Sequence, residues 1–134
     1  MTSRRFVQAE LNKWLSRLRL QRWEVALVTY PARHIPGTDD HLGHLECNEE
    51  QLTATVSIAL DHDEADVAAT VLHEVLHLLL DPVCQQFRMA SQALGPQARD
   101  LAEAEFVTPV ENVVATLERA LTGVKELTDN ATGH

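Results

Sequence analysis

His73-Glu74-Val75-Leu76-His77 places two imidazoles and a carboxylate within little more than one helical turn. Residues four positions apart lie above one another on an α-helix, so His73 and His77 can bind a single metal ion. Glu74 lies about 100° further round the helix, where its carboxylate can reach a water molecule beside that ion. The spacing therefore predicts a site for one zinc ion per chain, with Glu74 as the general base.

The motif lies in a segment that predicts a buried helix. Residues 67–80 contain no Gly or Pro and are apolar nearly all round. Asp61 or Asp63 is a suitable N-cap, and Asp81-Pro82 predicts the end of the helix near residue 80. Ionisable side chains in such a helix are costly unless they are paired or bound to metal. The alternative is a buried His-Glu-His hydrogen-bond network without an ion.

Size and composition favour one small intracellular domain. The chain has 134 residues, is 45% apolar and is only 4% aromatic, so Leu, Val and Ala must fill a single core. Cys47 and Cys84 form no Cys-x-x-Cys pair and are typical of thiols in a reducing compartment, with a disulfide between them as the alternative. The N-terminus lacks the apolar core of a secretion signal, and residues 76–80 are too short to span a bilayer. We predict a cytoplasmic protein with no membrane partner.

Charge is unevenly distributed along the chain. Residues 1–22 carry six basic residues and one acidic residue, whereas residues 23–134 carry five basic and nineteen acidic residues. A basic amphipathic helix at 1–22 is most often a solvated surface, but it can also contact an acidic protein partner. The acidic remainder argues against nucleic acid as a partner.

The periodicity of the remaining residues predicts three strands and three further helices. An N-terminal helix starts after Thr2 or Ser3 and ends near Leu20, and a short helix occupies 84–94. The predicted strands are Trp23–Tyr30, His41–Glu46 and Leu52–Leu60, with a loop at 31–41 between the first two. From Gln97 a C-terminal helix runs to Gly123 on an apolar stripe, which comprises Leu101, Val107, Val110, Val114, Leu117 and Leu121.

These elements predict an α+β fold. It has an N-terminal helix, a small three-stranded and mainly antiparallel sheet, a buried helix carrying the motif, and a C-terminal helix. Residues 1–123 form one domain, and residues 124–134 form a flexible tail.

Two histidines leave a zinc site incomplete, so a third protein ligand is expected. A histidine six residues after His77 is excluded because that position is Val83. The C-terminal helix offers Glu103, Glu105, Glu111 and Glu118, of which Glu111 and Glu103 border its apolar stripe. Glu111 is our first choice, although Thr108-Pro109-Val110-Glu111 also fits a helix capping box. Glu103, a histidine, or no third ligand remain the alternatives.

The chain resembles a known family over about residues 5–122. The strand that begins at Trp23, the alternating strand 52–60, the stretch Val71–His77 and the segment Glu111–Val114 together look like the minimal zincin-like metallopeptidases. These include small phage-encoded and ImmA/IrrE-like proteins. The resemblance implies a zincin-like fold, zinc bound by His73, His77 and Glu111, and Glu74 as catalytic base. It also implies that strand 52–60 offers its edge to an extended peptide.

The function that follows is zinc-dependent hydrolysis of peptide bonds, with a peptide or protein as substrate. Tyr30, His41 and His44 are candidates for stabilising the oxyanion. One alternative is a zincin-shaped metal-binding protein that holds a partner without peptidase turnover. Another is a zinc hydrolase acting on a non-peptide bond, because zinc-activated water is not selective for carbonyls.

Overall fold

The computed structural model describes residues 2–31 and 41–132, with side chains up to residue 122. The predicted loop at 31–41 therefore lies mostly outside the described residues. The described elements comprise three helices and a three-stranded sheet, which confirms the α+β class. In chain order they are α1 (Arg4–Arg17), β1 (Glu24–Tyr30), β2 (Gly43–Asn48), β3 (Thr53–Ala59), α2 (Glu64–Ser91) and α3 (Pro96–Thr132).

Helix α1 begins and ends with recognisable caps. The Ser3 hydroxyl accepts a hydrogen bond from the Phe6 backbone N–H at 3.1 Å, which confirms Ser3 as the N-cap. At the other end, the backbone N–H of Leu20 donates to the Leu15 carbonyl and that of Arg19 to the Ser16 carbonyl. This is a Schellman arrangement, and it holds Arg19 at a φ of 56°, where glycine is usually found.

The sheet is mixed, so the prediction of a mainly antiparallel sheet is wrong. Its strand order is β1-β3-β2: β1 pairs with β3 in parallel, and β2 pairs with β3 in antiparallel. The physical reason is the length of the connection between β1 and β2. These strands are twelve residues apart in sequence, so they need not be neighbours in the sheet, and β3 lies between them. Strand β2 then lies at the far edge.

Strand β3 is central, and its two neighbours use both of its edges. It therefore has no open edge for a peptide, and that part of the expectation for residues 52–60 is wrong. Its predicted alternation is confirmed, because Ala54, Val56 and Ile58 are fully or almost fully buried on one face. Ala59 is also buried on the opposite face, as is common for a central strand.

Helix α2 starts where the sequence predicts but does not end there. The Asp63 carboxylate accepts from the Asp66 backbone N–H at 2.8 Å, which confirms Asp63 as N-cap. The helix then continues through Pro82 to Ser91, so the predicted stop near residue 80 and the separate helix at 84–94 are both wrong. Proline costs a helix interior about 3 kcal/mol, but residues 83–91 contain no further Pro and no Gly, so nothing after Pro82 breaks the helix before Ser91.

Helix α3 is buried less than its pattern predicts. It begins at Pro96, directly after the predicted Gly95-Pro96 break, and passes through Pro109. Val114 is fully buried, but Leu101 and Val107 are 62% and 57% exposed, so these two are wrongly assigned to a buried stripe. The predicted flexible tail at 124–134 stays a prediction, although the backbone is helical through Thr132.

The chain divides into two compact units, Met1–Pro82 and Val83–His134. The first unit contains α1, the sheet and the motif-bearing part of α2. The second contains the end of α2 and α3, where Phe87 and Phe106 stack with ring centroids 4.0 Å apart. Two helical segments cover only part of each other's surface, which explains the exposed apolar residues on α3.

Helix α2 meets the length and composition of a membrane-spanning helix among the described residues. The buried core helix of a soluble protein meets the same criteria, and the α2 side chains Val67, Val71, Val75, Leu76 and Leu78 are fully buried.

Candidate metal centre

Helix α2 positions His73, Glu74 and His77 with different degrees of burial. Both histidines are partly exposed, whereas Glu74 is only 8% exposed. This arrangement leaves the imidazoles accessible to an ion or ligand. It also keeps the carboxylate largely out of bulk water. Shielded in this way, the carboxylate interacts more strongly with nearby charges.

The two imidazoles are arranged as a metal-binding pair. Their Nε2 atoms are 3.2 Å apart, and the rings meet edge to face at an interplanar angle of 65°. Two nitrogens bound to one tetrahedral zinc ion at about 2.05 Å lie about 3.3 Å apart. The observed separation therefore fits a shared ion with almost no movement of either ring. A hydrogen bond between the imidazoles would give the same distance, so the geometry alone does not exclude the metal-free network.

Glu74 packs against the start of β2 at a glycine. A Cβ atom added to Gly43 would lie 3.2 Å from Glu74 Cγ, 3.3 Å from Glu74 Oε1 and 2.6 Å from Thr70 Cγ2. Only a residue without a side chain lets the strand approach the helix this closely. The backbone of β2 therefore forms one wall beside the candidate base.

We expect Gly43→Ala to disturb this wall. The added methyl group must displace Thr70 or Glu74, so we expect a loss of about 1–3 kcal/mol in the free energy of unfolding, measured by denaturant titration. Adding Thr70→Ser removes the closest clashing atom and should recover part of that loss. Gly95→Ala is the matched control, because nothing lies within 4 Å of its added Cβ. Equal stability of the Gly43→Ala and Gly95→Ala proteins would contradict this packing.

A group of two histidines and one glutamate among the described residues could hold a metal ion: His73, His77 and Glu111. The two histidines belong to the first compact unit, and Glu111 is an exposed residue of α3 in the second. The other candidates, Glu103, Glu105 and Glu118, are not members of this group. The chemistry of the donor set, two imidazoles and a carboxylate, fits zinc.

The sheet register disfavours two of the three oxyanion candidates. Gly43 pairs with Ile58, so both point to the face of the sheet that meets Glu74. Tyr30 pairs with Ala59 and His44 pairs with Ser57, which places both on the opposite face. His41 is exposed and remains a candidate, since no described contact of its side chain argues against it.

The two outer edges of the sheet differ. On β1, the Arg4 guanidinium donates to the Leu27 carbonyl oxygen at 3.0 Å and to Thr29 Oγ1 at 3.4 Å, so a side chain covers that edge. All described pairings of β2 are to β3. The other edge of β2 has no described partner strand, and Gly43 of this strand lies next to Glu74. Of the two edges, that of β2 is next to the candidate base.

Sequence reasoning missed two residues near the motif. Gly43 was an available signal, because a glycine inside a strand often marks the close approach of another element. Asp81 lies four residues after His77 and therefore on the same helix face, whereas the pair Asp81-Pro82 predicts only the end of the helix. It is in fact within the helix and 7% exposed.

Known proteins give no independent identification. The chain matches no protein-family model, no curated protein and no solved structure at a significant level. The resemblance to zincin-like metallopeptidases therefore depends on this chain's own residues, above all on His73, Glu74 and His77.

Proposed function

We propose that this protein is a zinc-dependent metallopeptidase. One observation carries the proposal. The Nε2 atoms of His73 and His77 lie 3.2 Å apart on one helix, and Glu74, the residue after His73, has a buried carboxylate. The pair has the separation expected of two zinc ligands, and the adjacent carboxylate supports the role of general base that we propose for Glu74.

In this proposal His73 and His77 bind zinc through Nε2, and Glu111 supplies the third protein ligand. Three protein ligands leave one coordination position for water or substrate, as in other catalytic zinc sites. When bound, zinc polarises the scissile carbonyl and lowers the pKa of a coordinated water toward about 7.

Glu74 carries the proton in the proposed reaction. Its carboxylate accepts a proton from the attacking water and later donates that proton to the nitrogen of the leaving amine. Burial of Glu74 supports this role, because a carboxylate shielded from bulk water interacts more strongly with a nearby proton or charge. The close contact with Gly43 limits the conformations that the side chain can adopt.

The edge of β2 is the proposed docking site for the substrate. An extended peptide can add to an open strand edge through backbone hydrogen bonds, largely independently of its sequence. The position of Gly43 next to Glu74 supports this choice, because a peptide paired with β2 would run past the base. The covered edge of β1 is the less suitable alternative.

The test is hydrolysis of a mixture of unrelated peptides, followed by mass spectrometry of the products. We expect cleavage that is lost with a chelator and restored by zinc, and that is absent from the His73→Ala and His77→Ala proteins. Cleavage that persists in either variant would contradict the proposal. A zinc-loaded protein without turnover on any peptide would instead favour the metal-binding interaction protein.

The exposed cations of the N-terminal region favour that second candidate. Arg4 is used at the edge of β1, and Lys13 pairs with Glu10 at 2.7 Å. The exposed basic residues that remain near α1 are Arg5, Arg17, Arg19 and Arg22. These residues form a basic surface suited to an acidic protein partner. We propose that the protein acts in the cytoplasm.

A further inference from the structure

Strand β2 belongs to a part of the chain that contains no lysine or arginine. Residues 41–82 include nine acidic residues and neither of these basic ones. This segment comprises β2, β3 and the part of α2 that carries Glu74. A surface dominated by one sign of charge attracts ligands of the opposite sign. The surroundings of the proposed base therefore favour a cationic substrate.

The two edges of the sheet carry opposite charges. At β1, the Arg4 guanidinium donates to the Leu27 carbonyl oxygen at 3.0 Å. Glu46 is the one acidic residue of β2, the other edge strand. Because β3 lies between them, the two edge strands are about 10 Å apart. The positive charge of Arg4 is therefore held at the edge where the proposed substrate does not bind.

Glu46 presents its carboxylate to solvent. Its side chain is 77% exposed, and Oε1 lies 3.4 Å from His44 Nε2. An imidazole is charged only when protonated, and an exposed contact of this kind contributes little to stability. No lysine or arginine among the described residues pairs with Glu46. Its carboxylate is therefore available to a basic group on a ligand.

The pairing of β2 with β3 determines which backbone groups of β2 point outward. The Ala59 N–H donates to the Leu42 carbonyl oxygen at 2.9 Å, directly before the register of β2 with β3 begins. Hydrogen-bonded positions alternate along an antiparallel pair, so the backbone of Glu46, like that of Leu42, points toward β3. The N–H and C=O groups of Gly43 and Leu45 point away from β3. An added peptide strand would bond to these groups.

A peptide that pairs antiparallel with this edge places one side chain against Glu46. The backbone of Glu46 points toward β3, so Glu46 and the opposing peptide residue form a non-hydrogen-bonded pair, in which side chains are closest. Opposite charges in a cross-strand pair are stabilising, and like charges are destabilising. In this direction, the residue opposite Glu46 lies three positions N-terminal to the residue opposite Gly43.

We propose that the substrate is an extended peptide with a lysine or arginine opposite Glu46, and that Glu46 sets this preference. The inference rests on the proposed peptidase function and adds the class of its substrate. Glu46 lies on the sheet face away from Glu74, because Gly43, an odd number of positions earlier, faces that base. Glu46 therefore contacts the substrate without taking part in bond cleavage.

The test measures peptide binding, so it does not depend on turnover. A neutral, β-forming peptide is synthesised with a single lysine, glutamine or glutamate moved along its length. Its affinity for the full-length Glu74→Gln protein is measured by fluorescence anisotropy. We expect one position at which lysine binds about 3- to 10-fold more tightly than glutamate, because the exchange replaces a like-charge pair with an opposite-charge pair.

Charge reversal separates the contact at Glu46 from the general acidity of the segment. In a protein that also carries Glu46→Lys, the preference at that position should invert, and with Glu46→Gln it should disappear. Both changes are at an exposed position and should leave the fold intact. Glu24→Lys is the matched control, since Glu24 is an exposed glutamate on the same sheet face but on β1. Its reversal should leave the preference unchanged.

Four results would overturn the proposal. These are no binding of any peptide, equal binding of the lysine and glutamate peptides at every position, a preference that survives Glu46→Lys, or a dimer in light scattering that excludes the peptide. The last would assign the β2 edge to a second copy of the chain. Charge-selective binding without cleavage by the unaltered protein would reject the peptidase function alone. Cleavage without charge selectivity would reject this inference alone.

Discussion

Replacing Glu74 with glutamine is expected to lower peptide hydrolysis by about 100- to 10,000-fold while zinc stays bound. Glutamine has nearly the same shape but cannot accept the proton of the attacking water. The imidazoles of His73 and His77 are untouched by the substitution, so the metal affinity should change little. The measurements are the turnover number on a cleaved peptide and the zinc content of the same preparation.

Glu64→Gln is the matched control for this prediction. Glu64 is an exposed glutamate in the first turn of the same helix, away from the two histidines, and its loss should leave turnover unchanged. Full activity in the Glu74→Gln protein would show that Glu74 is not the general base. Loss of zinc together with activity would show that Glu74 holds the metal rather than the proton.

Replacing Glu111 with alanine should weaken zinc binding by more than about 100-fold. Loss of an indirect partner of a zinc ligand already costs about 10- to 100-fold, and removal of a direct ligand should cost more. The stability of the chain should change little, because Glu111 is an exposed side chain of α3. The measurement is zinc affinity by competition with a chelator of known strength.

Glu103→Ala provides the comparison. Glu103 is also an exposed glutamate on α3, but it does not belong to the group that could hold a metal ion. Its loss should leave zinc affinity nearly unchanged. Equal losses in the two variants would reject Glu111 as the third ligand, and so would a larger loss in Glu103→Ala.

Local signals made the main elements predictable from the sequence. Ser3 and Asp63 are side-chain caps that act within three residues, and both begin helices where they are predicted to. The alternation in 52–60 correctly identifies a strand with one strongly buried face. The position of His73, Glu74 and His77 on one buried helix follows from the same kind of short-range pattern.

Features that depend on distant contacts were not predictable in this way. Parallel pairing of β1 with β3 depends on where the intervening strand lies, which no local pattern records. Pro82 is a strong local signal against helix, yet residues on both sides of it continue α2. The contact between Gly43 and Glu74 joins residues far apart in sequence, so the glycine signals a close approach but only the fold identifies the neighbouring residues.

The zinc content of the unaltered protein, purified without a metal-affinity column, tests the central claim most directly. Our account predicts about one zinc ion per chain, bound through His73 and His77, and loss of that zinc in the His73→Ala protein. A fully folded protein that contains no zinc, and takes none up when titrated with it, would contradict the account. In that case the 3.2 Å contact between the imidazoles would be a hydrogen bond within a metal-free network.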